Sequence, residues 1–429
     1  MLKHLRLLCF LFTSLWIIGC NQTLSSPTPT PTKTPLSDVS PATAHARATP
    51  TPEHLLESTP TPSTVAAYEL RLEKLEMRAT WLDSDDTYLY WTSPDRFDWE
   101  SGDHLDGKIY RYPLAGGEIV KVVETKYLEG TVGADAPAFS IDWMVFVDRH
   151  FWNLYSPYIL YAYNLRSGAL IELFSDPRPQ ALPPAYALAG EWVAWTTLVE
   201  SHKDGCSADS VLVLQNIASG ERRELDRICI DDNYMWKAIS GIGMTEQYIV
   251  VEQQIADSQG GGHFIHLFDR QSGQRRRLSE GYGRMPAING DWVAWRDMRA
   301  LDDADGVTIA LNLKTGERKE IPYPTSPDEK YPYLRIDEPY IVGNRWLYWD
   351  VMGDIFLPVY DLTTDKMYMV RSTPLSPYHV GLGSAWHLSE RLIAWSLDRY
   401  EHGFGRLVES TLHWRTGPDL LTLLESLTR

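Results

Sequence analysis

Two neighbouring segments, PAINGDWVAWRD (residues 286–297) and VTIALNLKTGERKEI (residues 307–321), contain the unit on which the fold is built. In each segment a polar turn separates two alternating or apolar runs, which is the pattern of a β-hairpin. The second turn contains Gly316, and glycine suits a turn position that requires a positive φ. The unit therefore predicts two hairpins, or four strands.

The second hairpin turn recurs along the chain at nearly regular spacing. Its turn residues are Gly117, Gly168, Gly220, Gly273, Gly316, Asp365 and Gly417. Their successive spacings are 51, 52, 53, 43, 49 and 52 residues, and an apolar strand that usually ends in an aromatic residue precedes each copy. Seven such copies predict an all-β fold, a seven-bladed β-propeller of four-stranded antiparallel blades. The regular spacing argues against a β-sandwich or several small β domains.

The sequence leaves open how the last blade is completed. Residues 65–78 precede the first clear blade, and they are compatible either with a strand of the last blade or with a short helix outside it. The tail at residues 420–427 is an equally good candidate for the outer strand of that blade.

The repeat consensus is roughly Pro-x-Ile-x-Gly-Asp-x-Val-Ala-Trp followed by Asn/Asp-Leu-x-Thr-Gly-Glu. It resembles the TolB-like (WD40-like) β-propeller repeats over nearly everything after residue 78. The resemblance implies the fold and says little about function. TolB itself has an α/β domain before its propeller, whereas this chain has a Thr/Pro-rich segment there, so a Tol–Pal role is not implied.

The N-terminus has the layout of a secretory signal peptide. A basic start is followed by an apolar run from Leu7 to Ile18, which is shorter than the roughly 20 residues that cross a bilayer. The stretch from Ile17 to Cys20 resembles the lipobox of bacterial lipoproteins, whose cysteine receives a thioether-linked diacylglycerol. We therefore expect residues 1–19 to be the signal peptide and Cys20 to be the lipidation site, with simple secretion as the alternative.

Composition changes sharply after Cys20. Residues 21–64 are rich in Thr, Pro and Ser and have too little apolar surface to fold. Residues 20–64 are therefore predicted to be a lipid-anchored cysteine with a disordered linker, and residues 65–429 to be the propeller domain. The protein would then be extracytoplasmic, with the membrane as a partner through its N-terminal lipid and the bacterial cell membrane as its location.

Charge and cysteine usage restrict the function further. The net charge is −17, and an acidic chain without a basic cluster is a poor nucleic-acid binder. The one basic run, residues 275–277, is predicted at a blade's outer edge. Cys9 would leave with the signal peptide, so Cys206 and Cys229 remain as a pair in an exported chain. We expect a disulfide between them, with two free thiols as the alternative.

Aromatic residues divide into a repeated and a non-repeated set. The repeated set consists of Trp91, Trp195, Trp295, Trp349 and Trp395. Their common blade position favours packing between blades over an aromatic ligand box.

Long loops after the second strands of blades one, two and seven contain the non-repeated aromatic residues. Such loops share one face of a propeller and carry function more often than the scaffold does. The candidate ligand-binding residues are Arg96, Phe97, Trp99, Arg149, His150, Trp152, Tyr155, Arg399, Tyr400 and His402. Stacking and hydrogen bonding by these residues suit a protein or glycan ligand, and the alternative is that the loops cover the core.

Catalytic and metal-binding motifs are absent from the sequence. There is no P-loop, no Gly-x-Ser-x-Gly, no His-Glu-x-x-His and no Cys-x-x-Cys. The acidic loop at residues 301–306 lacks EF-hand spacing, and His263 and His266 should lie on opposite faces of one strand. We expect no cofactor, no metal and a non-catalytic binding module. The alternative is an extracytoplasmic carbohydrate-active enzyme, of polysaccharide lyase or glycosidase type, that uses the channel face. Some TolB-like propellers are polysaccharide lyases with a His-rich metal site, and no matching set of histidines stands out.

Overall fold

The computed structural model describes residues 64–72, 79, 81–85, 87–98, 103–124, 132–134, 137–149, 157–178, 184–230, 239–255, 262–298, 306–324, 336–351, 356–371, 386–400 and 407–428. These residues form seven antiparallel sheets and one helix. No helix in this part of the chain is long and apolar enough to cross a membrane.

The seven sheets, called blades 1 to 7, follow one another along the chain and confirm the predicted seven-bladed β-propeller. The described chain begins with β1 (Ala66–Leu72), which belongs to blade 7. Blade 1 contains β2 (Trp81–Ser84), β3 (Tyr88–Asp98), β4 (Asp103–Pro113) and β5 (Val120–Glu124). Blade 2 contains β6 (Val132–Ala134), β7 (Ala138–Phe139), β8 (Trp143–Arg149), β9 (Tyr158–Asn164) and β10 (Leu170–Asp176). Blade 3 contains β11 (Tyr186–Ala189), β12 (Trp192–Val199), β13 (Ala208–Asn216) and β14 (Arg222–Ile230). In blade 2, β6 and β7 both pair with β8, so the first strand is present in two pieces.

The remaining blades repeat this order. Blade 4 contains β15 (Ile239–Met244), β16 (Tyr248–Ile255), β17 (Gly262–Asp269) and β18 (Arg275–Arg277), and blade 5 contains β19 (Tyr282–Asn289), β20 (Trp292–Met298), β21 (Val307–Asn312) and β22 (Arg318–Pro322). Blade 6 contains β23 (Ile336–Val342), β24 (Trp346–Val351), β25 (Phe356–Asp361) and β26 (Lys366–Arg371). Blade 7 contains β27 (Trp386–Leu388), β28 (Leu392–Tyr400) and β29 (Leu407–Thr416), together with β1. First strands of neighbouring blades contact each other from β11 through β15 and β19 to β23, and β2 contacts β27. The first strands therefore form the inner edge of the ring, and blades 7 and 1 meet at a seam.

The N-terminal strand completes the last blade. The sheet order is β1-β29-β28-β27, and β1 pairs with β29 from Ala66 opposite Thr416 to Leu72 opposite Ser410. The prediction that residues 65–78 supply a strand of the last blade is therefore confirmed for Ala66–Leu72. Ring closure joins the beginning of the domain to its end.

The C-terminal tail forms a helix, so the alternative in which it supplies the outer strand is wrong. The helix α1 (Leu420–Leu427) is capped by Asp419, whose side chain accepts a hydrogen bond from the backbone N–H of Thr422 at 2.8 Å. Its buried leucines pack into the cluster shared by blades 6 and 7. Gly417 does not form the predicted seventh hairpin turn, because β1 already occupies the outer position and the chain continues into α1.

The other six repeated turns have the predicted geometry. Gly117, Gly168, Gly220, Gly273, Gly316 and Asp365 all have positive φ. In blade 5 the side chain of Asn312 accepts a hydrogen bond from the backbone N–H of Thr315 at 2.9 Å. This local bond explains why Asn or Asp begins the motif, since an Asx side chain stabilises a tight turn.

The repeated tryptophans lie between blades, as predicted. All five are at most 2% exposed. Trp195 of blade 3 shares a cluster with Leu160 of blade 2. Trp349 of blade 6 packs with Ala294 of blade 5, and its indole N–H donates to the Thr308 hydroxyl at 2.8 Å across the same interface. Blade-to-blade packing therefore explains the repeat position without a ligand.

The predicted disulfide is present. Cys206, in the segment between β12 and β13, is bonded to Cys229 of β14, with 5.5 Å between their Cα atoms. The bridge ties that segment to the outer strand of blade 3. The basic run at residues 275–277 forms β18, the outer strand of blade 4, and all three arginines are exposed.

Candidate functional site

Five of the ten predicted ligand-binding residues belong to the described part of the chain, and they lie at one end of the second strands of blades 7, 1 and 2. The backbone of Arg96 and Phe97 belongs to β3, that of Arg149 is the last residue of β8, and that of Arg399 and Tyr400 ends β28. These strands therefore extend further than the sequence indicated, because the positions were expected in loops. Outside the described residues lie Trp99, His150, Trp152, Tyr155, His402, Cys20 and the acidic loop at residues 301–305.

Blade 1 has the longest hairpin among the described strands. Strands β3 and β4 have 11 residues each. Phe97 pairs with His104 near its tip. Strand β3 ends at Asp98, seven residues after its repeated Trp91, whereas β20 ends at Met298, three residues after Trp295. The difference is four residues. Four strand residues span about 13 Å. The β3–β4 and β28–β29 hairpins turn at the same end of the propeller, and we call this end the hairpin face.

The chain enters the propeller at the opposite end. Ala66 pairs with Thr416, which itself pairs with Leu392 at the beginning of β28. Arg399 and Tyr400 lie at the other end of β28. Ala66 therefore lies at the end of blade 7 away from the hairpin face, and we call this end the entry face.

A polar cluster crosses the seam between blades 7 and 1. It joins Asp83 and Ser84 of β2 to His387 of β27. The Ser84 hydroxyl lies 2.9 Å from Nε2 of His387, and a carboxylate oxygen of Asp83 lies 3.2 Å from Nδ1 of the same ring. The backbone N–H of Ser84 donates to that carboxylate oxygen at 2.7 Å. Both ring nitrogens of one histidine are thus engaged by residues of another blade.

Burial keeps both titratable groups of this seam cluster neutral over much of the acidic range. It raises the pKa of Asp83 to about 7, an effect that the Ser84 N–H opposes and the nearby Asp85 charge increases. Burial lowers the pKa of His387 to about 4. Between these values the Asp83 carboxyl donates its proton to Nδ1, and the Nε2–H of His387 then faces the Ser84 hydroxyl.

Sequence reasoning missed this cluster because its members lie in repeat copies but do not match the residues of the consensus. Ser84 and His387 are 303 residues apart in the chain. Only the closure of the ring brings them together. The available signal was the looseness of the first repeat copy, where Ser84 stands at the strand position of the consensus Ile.

A second buried cluster connects blades 4 and 5. Glu252 of β16 is 3% exposed. Its carboxylate lies 2.7 Å from Nδ1 of His263 and 3.4 Å from Nε of Arg284, and it accepts the backbone N–H of Met285 at 3.0 Å. Burial alone would raise the pKa of Glu252, but these donors together lower it. Its carboxylate is occupied by donors from both blades, which suits a structural tie.

The two histidines of β17 face opposite blades, as predicted. His263 contacts the blade 4–blade 5 cluster, whereas His266 lies near Arg275, Arg277 and Asp226 on the other side. Burial, reinforced by the two arginines, lowers the pKa of His266 to about 4. The described residues contain no group of three His, Cys, Asp or Glu side chains that could hold a metal ion.

Comparison with known proteins identifies the fold. No family model matches the sequence, and no curated protein matches it. Among solved structures, an oligogalacturonate lyase from Vibrio parahaemolyticus is 10% identical, with 83% of this chain and 98% of that chain covered and a TM-score of 0.52. The β-propeller domain of the Trilobed protease from Pyrococcus furiosus is 10% identical, with 78% and 94% covered and a TM-score of 0.50.

Structural neighbours also include a putative TolB from Agrobacterium tumefaciens, which is 13% identical, with 59% of this chain and 83% of that chain covered and a TM-score of 0.39. At such low identities the likeness shows the propeller fold alone. The Pyrococcus domain is described as having an open velcro topology, whereas β1 closes the ring in this chain.

The seam cluster predicts opposite pH responses for two variants. Between about pH 4 and 6.5 the folded state holds one proton on Asp83, and the unfolded state holds one on His387. The pair therefore adds no pH dependence to the free energy of unfolding. In Asp83→Asn only the unfolded state binds the proton, so stability rises with pH relative to the parent protein. In His387→Gln only the folded state binds it, so stability falls as pH rises toward 7. Each slope is at most about 1.4 kcal/mol per pH unit.

Urea unfolding at pH 4.5, 5.5 and 6.5 measures these slopes. The double variant serves as the control, because it should regain the slope of the parent protein. Slopes of the same sign in the two single variants would contradict the neutral pair.

Proposed function

We propose that this chain is an exported, lipid-anchored β-propeller whose hairpin face binds a protein or glycan at the cell surface without catalysing a reaction there. The observation that carries the proposal is positional. The described candidate residues belong to the second strands of three consecutive blades, 7, 1 and 2, and lie at the same end of these strands. A continuous sector of one face can contact one partner.

The residue types in this sector suit recognition of a polar, ring-containing or peptide surface. Arginine donates several hydrogen bonds in a fixed geometry and stacks on aromatic faces, and tryptophan presents a broad apolar face with one N–H donor. Trp and Arg are also enriched among the residues that dominate binding energy at protein interfaces. The long β3–β4 hairpin supports the proposal because the backbone of Arg96 and Phe97 belongs to a strand, and sites built on strands are more precise than sites built on loops.

The direction of chain entry is compatible with this function. The Thr/Pro-rich segment precedes β1, and β1 begins at the entry face. The prolines of this segment favour an extended conformation of about 3.1 Å per residue.

Substitution of the non-repeated tryptophans should weaken binding. We expect Trp99→Ala and Trp152→Ala each to reduce affinity for a detected ligand at least about tenfold, which corresponds to about 1.4 kcal/mol. Glycan arrays and pull-down assays with residues 64–429 would identify the ligand, and calorimetry would measure the affinity.

Ile141→Ala is the matched control, because Ile141 is 83% exposed at a turn on the entry face. Binding that survives in both tryptophan variants, or that is lost in the Ile141 variant, would place the ligand elsewhere.

The anchor has a separate test. Cys20→Ser should abolish incorporation of an alkyne-tagged fatty acid and release the protein from the membrane fraction, because the substituted residue cannot form the thioether. Cys9→Ser is the control and should retain the label, since Cys9 is expected within the removed peptide. Unchanged labelling and fractionation of the Cys20 variant would refute the anchor.

A further inference from the structure

We propose that Ser84 is a nucleophile, activated by His387 and positioned by Asp83, that accepts the acyl group of small carboxylic esters at the seam between blades 7 and 1. This site lies apart from the hairpin face, since Ser84 ends β2 at the turn on the entry-face side. The proposal goes beyond the binding function and does not depend on it.

The geometry is that of an activated hydroxyl. A serine becomes nucleophilic when a base lies within hydrogen-bond distance and a third group orients that base. The Ser84 hydroxyl lies 2.9 Å from Nε2 of His387, and the Asp83 carboxylate lies 3.2 Å from Nδ1. The Ser84 backbone N–H fixes the same carboxylate at 2.7 Å. The three groups therefore occupy the roles of nucleophile, base and orienting acid.

The seam cluster is partly exposed to solvent. The side chains of Asp83 and His387 are 22% and 13% exposed, and Ser84 is partly exposed. Strands β2 and β27 are the innermost strands of their blades, so one edge of each is not paired with a further strand. By contrast, Glu252 in the blade 4–blade 5 cluster is 4% exposed at its side chain and held by donors.

A neighbouring serine shows what a purely structural hydroxyl looks like in this fold. Ser140, next to the first strand of blade 2, donates to the backbone carbonyl of Gly190 at 2.7 Å. A carbonyl oxygen cannot remove the hydroxyl proton. Ser84 differs because its partner atom is an imidazole nitrogen.

The chemical step balances without a cofactor. With Asp83 ionised, Nδ1–H donates to it, and the lone pair of Nε2 faces Ser84. The Ser84 oxygen attacks the ester carbonyl carbon while Nε2 takes the hydroxyl proton. The bond to the leaving alcohol then breaks, and the alcohol takes the proton from Nε2, which leaves an acyl-Ser84. Water attacks this ester with the same base and releases the carboxylic acid.

Protonation of the pair controls the reaction. While Asp83 holds its proton, Nε2 carries hydrogen toward Ser84 and cannot act as a base. Loss of the Asp83 proton near pH 7 restores the basic tautomer. Asp85, in the turn after β2, raises the Asp83 pKa, and Tyr90 of β3 donates to Asp85 at 2.7 Å. Reactivity of Ser84 should therefore rise between pH 6 and 8.

A fluorophosphonate probe tests the proposal on the folded propeller. Ser84 would form the P–O bond as the P–F bond breaks, with fluoride leaving and the proton taken by His387. We expect one label per chain, mapped to Ser84 by mass spectrometry, and a burst of one p-nitrophenolate per chain with p-nitrophenyl acetate. Ser84→Ala should abolish labelling, and Ser140→Ala should leave it unchanged.

The two partner residues have distinct expected readouts. His387→Gln should slow labelling at least tenfold and remove its rise between pH 6 and 8. Asp83→Asn should also slow labelling and flatten the pH profile, because an amide at this position favours the wrong tautomer. Circular dichroism of each variant checks the fold.

The parent protein alone can overturn the proposal, whatever the variants do. Labelling of the folded chain no faster than that of the urea-unfolded chain, or labelling at another serine, would contradict it. So would an unchanged rate in a folded His387→Gln variant.

Discussion

The pairing of β1 with β29 is the interaction on which the rest of the structure depends. A ring of blades has two chain ends, and its closure requires a contact that joins them. Here seven consecutive residues pair from Ala66 to Leu72. Tyr68 stacks on Trp414 with ring centroids 5.3 Å apart, and Leu72 enters the cluster in which Trp91 packs against blade 7. Without β1, blade 7 would expose a strand edge beside the seam.

Closure also creates both places where function is proposed. It makes blades 7 and 1 neighbours, so the β28–β29 and β3–β4 hairpins share one sector of the hairpin face. The same seam brings Ser84 to His387 across 303 residues of chain. Since β1 begins at the entry face, Ala66 and the hairpin face lie at opposite ends of blade 7. One strand pairing thus connects the proposed binding surface with the proposed seam chemistry.

The repeated features could be predicted from sequence because each copy has the same local cause. Positive φ at the turn requires Gly or Asp, and blade packing requires the aromatic residue at the position of Trp195. The unrepeated features could not, since they arise from contacts between distant copies. Most residues of β1 are exposed, so its hydrophobic pattern is weak. Gly417 lies in a copy of the turn motif, but no hairpin turn forms there because β1 supplies the outer strand. The length of β3 depends on its pairing with β4. For the candidate site, sequence indicated the sector of the hairpin face, but the pairing of Asp83 with His387 depends on ring closure and could not be read from either residue alone.

Urea unfolding of two chains, one beginning at residue 64 and the other at residue 73, tests the closure most directly. The longer chain should unfold in one cooperative transition. The shorter chain should unfold at a clearly lower urea concentration, because it lacks the outer strand of blade 7 and the packing of Leu72. A synthetic peptide of residues 64–72 should partly restore its midpoint. Equal midpoints for the two chains, with no effect of the peptide, would contradict the account.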